Sequence, residues 1–301
     1  MLRIAHLSDP HFAKLQWSFK QFLSKEWLGN GNLLLKRKYL YQPEAMLANI
    51  STWLEQQKVE YIFITGDFTT TSQPSEFELA KLFLQKLDSL GLKFYILPGN
   101  HDKYTKESDV QQRFYKFFSK TCNFAHKSSV LGSYSLKDHG IEGVKLQDNW
   151  WLIGIDSIRS TPFFASWGVF SEQIEQTLDE ALGFLKGEKV IMLNHYPLLN
   201  LGGWRRNLKR YAALQKLLRK HTQVKLYLHG HTHIPAIYDE QANQLPLILD
   251  SGSCSHVKKG SFNLIELQSN SCQVNHVKPV FDMGAFEKWN IEKKMIFNIT
   301  R

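Results

Sequence analysis

The order of apolar runs in the sequence predicts an α/β fold built as a doubly wound sheet. Short runs filled by aromatic and branched residues, such as 61–65 and 94–97, read as buried strands. Amphipathic stretches such as 77–90 lie between them and supply the crossover helices. Run after run then stops at a polar cluster, and in an open α/β sheet the carboxyl edge of the strands is where ligands bind.

Taken in order, residues 2–8 form the first strand and end at Asp9-Pro10-His11. Residues 12–42 differ from everything around them. They carry Trp17, Phe19, Phe22, Leu23, Trp27 and Leu28, with six Lys/Arg against the single acid Glu26. Phe19, Phe22 and Leu23 keep helical spacing, and Gly29 to Asn32 divides the segment into two short pieces. Aromatics flanked by cations describe a cap that binds something both greasy and anionic, such as a membrane interface. A helix over 43–57 follows, with Met46, Leu47, Ile50 and Leu54 on one face, then the strand at 61–65 that ends at Gly66-Asp67.

The helix at 77–90 leads into the strand at 94–97, which stops at Pro98-Gly99-Asn100-His101-Asp102. A helix is expected over 108–119. The strand 150–155 ends at Asp156, read as structural because no His or Asn accompanies it. A helix over 172–185 precedes the strand 190–193, which ends at Asn194-His195. The loop after it carries Trp204, Arg205 and Arg206 and feeds a helix expected over 207–220. Cations at a helix start oppose its dipole, which marks Arg205 and Arg206 as placed for an anion. The strand 225–228 ends at His229-Gly230-His231-Thr232-His233. Strands at 236–238, 247–249, 261–267 and 273–277 lack intervening helices and imply an antiparallel close. Residues 281–301 read as a tail, and one domain spanning 1–301 is the economical organisation.

The totals narrow the partners. A net charge of +9 suits an anionic one, and no dedicated nucleic-acid module is visible. Cys122, Cys254 and Cys272 form no CxxC pair and read as isolated reduced thiols of a cytosolic protein. No cleavable apolar core opens the chain, and no run approaches the ~18 residues a membrane span requires.

Five strand ends carry metal-capable residues: Asp9 and His11, Asp67, Asn100 and His101, His195, and His231 with His233. Carboxylate, imidazole and amide-oxygen donors together suit borderline divalent ions, manganese, iron or zinc, better than an all-sulfur or all-oxygen site would.

Asp9-x-His11, Gly66-Asp67, Gly99-Asn100-His101-Asp102, His195 and Gly230-His231-x-His233 resemble the ordered signature of the calcineurin-like metallophosphoesterases. The resemblance implies a four-layer αββα sandwich, here with an aromatic-basic helical cap insert, and a site for two divalent cations, manganese first. It assigns Asp9, His11 and His233 to one ion, Asn100, His195 and His231 to the other, and Asp67 to both. Two cations ~3.5–4 Å apart clamp the attacking and leaving oxygens of an in-line displacement. His101 then faces the substrate as acid or charge stabiliser, with Asp102 orienting it. Phe68-Thr69 follows Asp67 where several relatives carry a further acid, and Pro10 stiffens the first turn. His6, inside a strand, reads as structural, and His229, adjacent to the site, as supporting the ligands or the structure rather than ligating directly.

The metals activate water without choosing a substrate. The 12–42 insert is similar to that of the calcineurin-type UDP-2,3-diacylglucosamine pyrophosphohydrolases of chlamydial lipid A synthesis. That resemblance implies hydrolysis of UDP-2,3-diacylglucosamine to UMP and 2,3-diacylglucosamine 1-phosphate (lipid X) by a cytoplasmic protein, peripheral on the inner face of the bacterial inner membrane. Arg205, Arg206 and Trp204 would bind the phosphate end, and Trp17, Phe22 and Trp27 the acyl chains. A 3',5'-cyclic nucleotide phosphodiesterase shares the five motifs but has no evident need for a greasy insert; its base would stack on Trp167 or Trp204. A non-catalytic scaffold of the retromer type tends to lose ligands, and none is missing here.

Overall fold

The computed structural model describes residues 1–14, 40–124, 131–162, 164–201, 203–282 and 285–299. Trp17, Phe22, Trp27 and the helical spacing expected of the insert lie outside the described residues.

Three short apolar strands pair in parallel: β1 (Leu2–Leu7), β2 (Tyr61–Ile64) and β3 (Lys93–Ile96). A second group comprises β4 (Ile141–Lys145), β5 (Trp150–Ile155), β6 (Gly168–Val169), β7 (Lys189–Leu193), β8 (Leu208–Lys209) and β9 (Val224–His229). The chain closes with β10 (Ala236–Asp239), β11 (Leu247–Asp250), β12 (Phe262–Leu267), β13 (Ser271–Asp282) and β14 (Ala285–Asn298). They form two six-stranded sheets, ordered 14-13-12-1-2-3 and 10-11-9-7-5-4, with β6 and β8 making a separate two-stranded ribbon.

Side-chain alternation explains how the sheets stack. In β1, Leu2 and Ile4 face one way and Ala5 and Leu7 the other, as a period of two requires. The first pair joins Phe63, Tyr95, Leu152, Leu193 and Leu228 in a core between the two sheets. The second pair packs outward against α1 (Pro43–Leu47), α2 (Ile50–Gln56) and α3 (Pro74–Ser89). On the far side, Ile153 and Met192 pack against α7 (Glu172–Phe184) and α8 (Tyr211–Lys220) through Ile174, Leu178, Leu214 and Leu217. The order helix, sheet, sheet, helix is the four-layer sandwich expected. Emptying one such position, as in Ile153→Ala, would cost about 2–5 kcal/mol.

Four local expectations change. The helix over 43–57 is two helices broken at residues 48–49, although Met46, Leu47, Ile50 and Leu54 are buried as expected. The helix over 108–119 is also two: α4 (Lys106–Val110) and α5 (Arg113–Phe117). Gln112 between them has a left-handed φ of 50°, so the helical path cannot continue through it. α6 (Leu136–His139) precedes β4. The helix over 207–220 begins only at Tyr211, because residues 208–209 are drawn into the β6–β8 ribbon. Arg205 and Arg206 therefore lie in a turn, and the dipole argument made for them lapses. Within the expected tail, residues 285–298 form β14, the edge of the first sheet, with Trp289 buried against its outer core. Parallel pairing of β1, β2 and β3 in one sheet and of β7 and β9 in the other aims their carboxyl ends at one edge.

Candidate metal centre

Main-chain hydrogen bonds continue past the strand ends and stitch the site together. Asp9 N–H donates to the Gly66 carbonyl (3.0 Å), His11 N–H to the Asp67 carbonyl (3.0 Å), and Gly230 N–H to the His195 carbonyl (3.1 Å). Close approach demands glycine at two points. A Cβ at Gly99 would collide with the main-chain nitrogen and Oδ1 of Asp67, and one at Gly230 with Ser8 Oγ and Asp9 Oδ2.

Asp9, His11, Asp67, His231 and His233 all adopt left-handed backbone, with φ of 54°, 49°, 56°, 70° and 57°. Such conformations cost of order 1–3 kcal/mol each in non-glycine residues and persist where the surroundings hold them for function.

The seven expected ligands converge. Ligand atoms of Asp9, His11, Asp67 and His233 lie within 4.8 Å of one another. Beside them, His195 Nε2 is 3.0 Å and His231 Nδ1 2.8 Å from Asn100 Oδ1. Asp67 sits between the groups: Oδ1 accepts the His101 N–H (2.7 Å), leaving Oδ2 3.8 Å from His11 Nε2 and 3.5 Å from His195 Nε2. Asp9 is divided likewise, Oδ2 taking the His231 N–H (3.0 Å) and Oδ1 standing 3.0 Å from His233 Nε2.

The donor chemistry fits cations. His11 Nδ1 meets the Thr69 carbonyl (3.3 Å), His195 Nδ1 that of Thr65 (2.8 Å), and His231 Nε2 that of Arg206 (3.0 Å). A carbonyl only accepts, so these nitrogens carry the protons and the opposite nitrogens turn lone pairs inward. The inward atoms crowd: His231 Nδ1 is 3.2 Å from His195 Nε2. Lone pair against lone pair at that range calls for a positive charge between them. Burial pushes the His195 and His231 pKa values down, which keeps both neutral and ready to ligate. Burial raises the Asp9 carboxyl, but the charge and hydrogen bond of His233 override it, holding Asp9 well below the usual carboxylate range.

A cavity of about 290 Å³ opens over both groups, lined among others by His101, Arg206, Ser166 and Tyr41. His101 presents its ring there, stacked on Tyr104 at 5.2 Å, with Nδ1 2.6 Å from the Thr70 carbonyl. The orienting role expected of Asp102 is not what its carboxylate does. Its oxygens accept from Gly99, Phe68 and Thr69 N–H groups at 2.9–3.1 Å and from Thr69 Oγ1, so it ties the β2 loop to the β3 turn. The contact that holds the His101 ring is instead the Thr70 carbonyl.

Of the residues expected to bind substrate, Arg206 reaches the cavity. Arg205 lies over the exposed Trp204 ring at 5.0 Å, outside the lining. His6 and His229 behave structurally: both are buried, His6 bonds Thr65 Oγ1 (3.1 Å), and His229 Nδ1 is 3.3 Å from Asp250 Oδ2. Asp156 accepts from Lys103 and Tyr115, each at 2.6 Å. Tyr41, Ser166 and the Thr70 carbonyl were not foreseen; nothing in their local sequence distinguishes them, and only the tertiary fold brings them in.

A calcineurin-like phosphoesterase family model matches residues 2–235. The chain belongs to that family. Its cluster of Asp9, His11, Asp67 and His233 fits the family's dimetal site. A curated relative, a probable glycerophosphodiester phosphodiesterase GpdQ of Arcobacter nitrofigilis, is 26% identical over 182 residues, 58% of this chain. The chain spans 57% of that relative's length. Among solved structures, a dimetal phosphatase from Danio rerio superposes with a TM-score of 0.66 at 14% identity, covering 99% of both chains. A purple acid phosphatase from yellow lupin gives 0.62 at 9% identity, over 99% of this chain and 53% of its own. These similarities bear on the fold. No helix among the described residues is long and apolar enough to cross a membrane.

Proposed function

We propose that this phosphoesterase hydrolyses the pyrophosphate of UDP-2,3-diacylglucosamine to UMP and 2,3-diacylglucosamine 1-phosphate. One observation carries the substrate choice: the greasy, basic insert is rooted at the metal centre at both ends. Phe12 N–H donates to the Phe68 carbonyl (2.7 Å) directly after the ligand His11, and Tyr41 Oη stands 2.7 Å from His233 Nδ1. A segment with three Lys/Arg on each side of its glycines is thereby tethered beside a phosphate-cleaving site.

In this reading Asp9, His11 and His233 would hold one cation, Asn100, His195 and His231 the other, and Asp67 would serve both. When bound, two divalent cations, manganese first, supply Lewis-acid charge and bring the pKa of water into the neutral range. Arg206 draws the anionic pyrophosphate into the cavity and fixes it. His101, its Nδ1–H donated to the Thr70 carbonyl, turns Nε2 toward the substrate and hydrogen-bonds the oxygen on which charge develops as the P–O bond breaks. Arg205 and Trp204 meet the substrate or an anionic membrane face from the outer rim, and the acyl chains come to Trp17, Phe22 and Trp27 from the cytoplasmic leaflet.

Purified protein with manganese should release UMP from the lipid in detergent at least ~10²-fold more efficiently than it cleaves glycerophosphodiesters or cyclic nucleotides. Intact lipid beside rapid diester cleavage would sink the proposal. It would favour the second reading, a phosphodiesterase acting on small diesters, which draws on the likeness to the probable glycerophosphodiester phosphodiesterase.

A further inference from the structure

The four ligand imidazoles are not held alike. His11, His195 and His231 lean on main-chain carbonyls that belong to the sheet edges and to the turn at Arg206. His233 leans on a side chain, the hydroxyl of Tyr41, at 2.7 Å. Tyr41 comes from the returning end of the insert and is itself firmly seated. Gln42 N–H donates to the Ser255 carbonyl (3.0 Å) and Val257 N–H to the Leu40 carbonyl (2.8 Å), so the main chain is pinned on both sides of Tyr41. Its ring meets His11 edge-on at 5.0 Å and His256 at 5.2 Å.

We propose that Tyr41 is a positioning residue for the first metal site, fixing the His233 ring so that Nε2 faces Asp9 Oδ1 and the cation. The inference rests on the reading of the seven residues as ligands of two cations. His233 is the ligand most in need of such support. It follows a turn whose own backbone is left-handed at both His231 and His233, and its side chain is 22% exposed where those of Asp9 and His11 are fully buried. A ring with that freedom rotates away from the ion unless its outer nitrogen is anchored. Removing a partner of this kind from a metal-bound imidazole typically costs 10–100-fold in metal affinity.

The effect is specific to one of the two ions, because the Tyr41 hydroxyl meets His233 of the first group, whereas the outer nitrogens of His195 and His231 rest on the Thr65 and Arg206 carbonyls. Tyr41→Phe keeps the ring contacts and deletes only the hydroxyl. Manganese titration of the metal-stripped full chain, followed by electron paramagnetic resonance of free and coupled manganese, reads both sites without substrate. Two manganese ions are expected to bind the wild type. In Tyr41→Phe one should bind as before and the other 10–100-fold more weakly, with loss of the exchange-coupled signal at concentrations that fill both wild-type sites. Far-UV circular dichroism establishes that the variant is folded, and His256→Ala, which removes the outer buttress of the ring, should weaken the same ion by a smaller factor. Unchanged binding of both ions in Tyr41→Phe would overturn the inference and leave the ligand reading standing, as would equal weakening of both. A wild-type chain that binds no manganese would overturn the ligand reading and the inference with it.

Discussion

The two ligand groups are alike in chemistry and different in construction. Asn100, His195 and His231 come from strand ends of both sheets, and the outer nitrogens of both imidazoles rest on main-chain carbonyls. Asp9, His11 and His233 differ in that one of them, His233, rests its outer nitrogen on a side chain at the returning end of the insert. The first group is a product of the sandwich alone. The second combines the sandwich with the returning end of the 12–42 insert, through the contact of Tyr41 with His233.

Variants that empty both groups, one, or neither sharpen this contrast. Asp67→Ala removes the oxygen between them and should abolish binding of both ions, lowering kcat/KM on the order of 10⁴-fold, as chelation should; metal analysis and restoration by manganese check it. Asn100→Ala should release one ion and leave the Tyr41-dependent one, at a cost on the order of 10³-fold. A variant that lost both would erase the independence of the groups. His101→Ala should retain both ions and lose about 10²-fold in kcat, the range for a group that handles a proton. Loss of metal there would place His101 among the ligands instead.

Asp102→Asn should leave the pH profile of turnover unmoved and lower stability in urea by about 1.5–3 kcal/mol, since the carboxylate serves the backbone of both loops. The smallest effect concerns Glu76, whose buried carboxylate accepts from the Thr71 and Gln73 N–H groups at the start of α3. Burial raises its pKa to about 7. The folded state therefore holds a proton that the unfolded chain releases near the ordinary value of ~4.5. This group's contribution is fully favourable below that value and declines as pH rises toward about 7. Thermal melts of Glu76→Gln should lose that slope between pH 5 and 7.

The converging residues were legible because they sit at strand ends, and strand ends are marked by apolar runs stopping at glycine and polar residues. The alternation that assigns Ile4 inward and Ala5 outward was legible for the same reason. What escaped depends on distant segments. Gln112 ends a helix by adopting a backbone that its type does not announce. Residues 208–209 leave their helix because Gly168 and Val169 offer a partner strand 40 residues earlier. Asp102, next to His101 in sequence, serves the Phe68–Thr69 backbone 33–34 residues away. Arg205 and Arg206 are interchangeable on paper, and a turn decides which one reaches the cavity.

Gly99 has one further consequence. The strands β2 and β3 end so close together that hydrogen, not carbon, is the spacer between the Asp67 carboxylate and the turn that carries Asn100. If Asp67 serves both ions and Asn100 only one, as proposed, this contact would gauge how far apart two charges can be held. A methyl group inserted there would act as a shim. Gly99→Ala would keep every ligand and every donor atom, yet widen the gap across which a phosphorus centre has to be gripped from both sides.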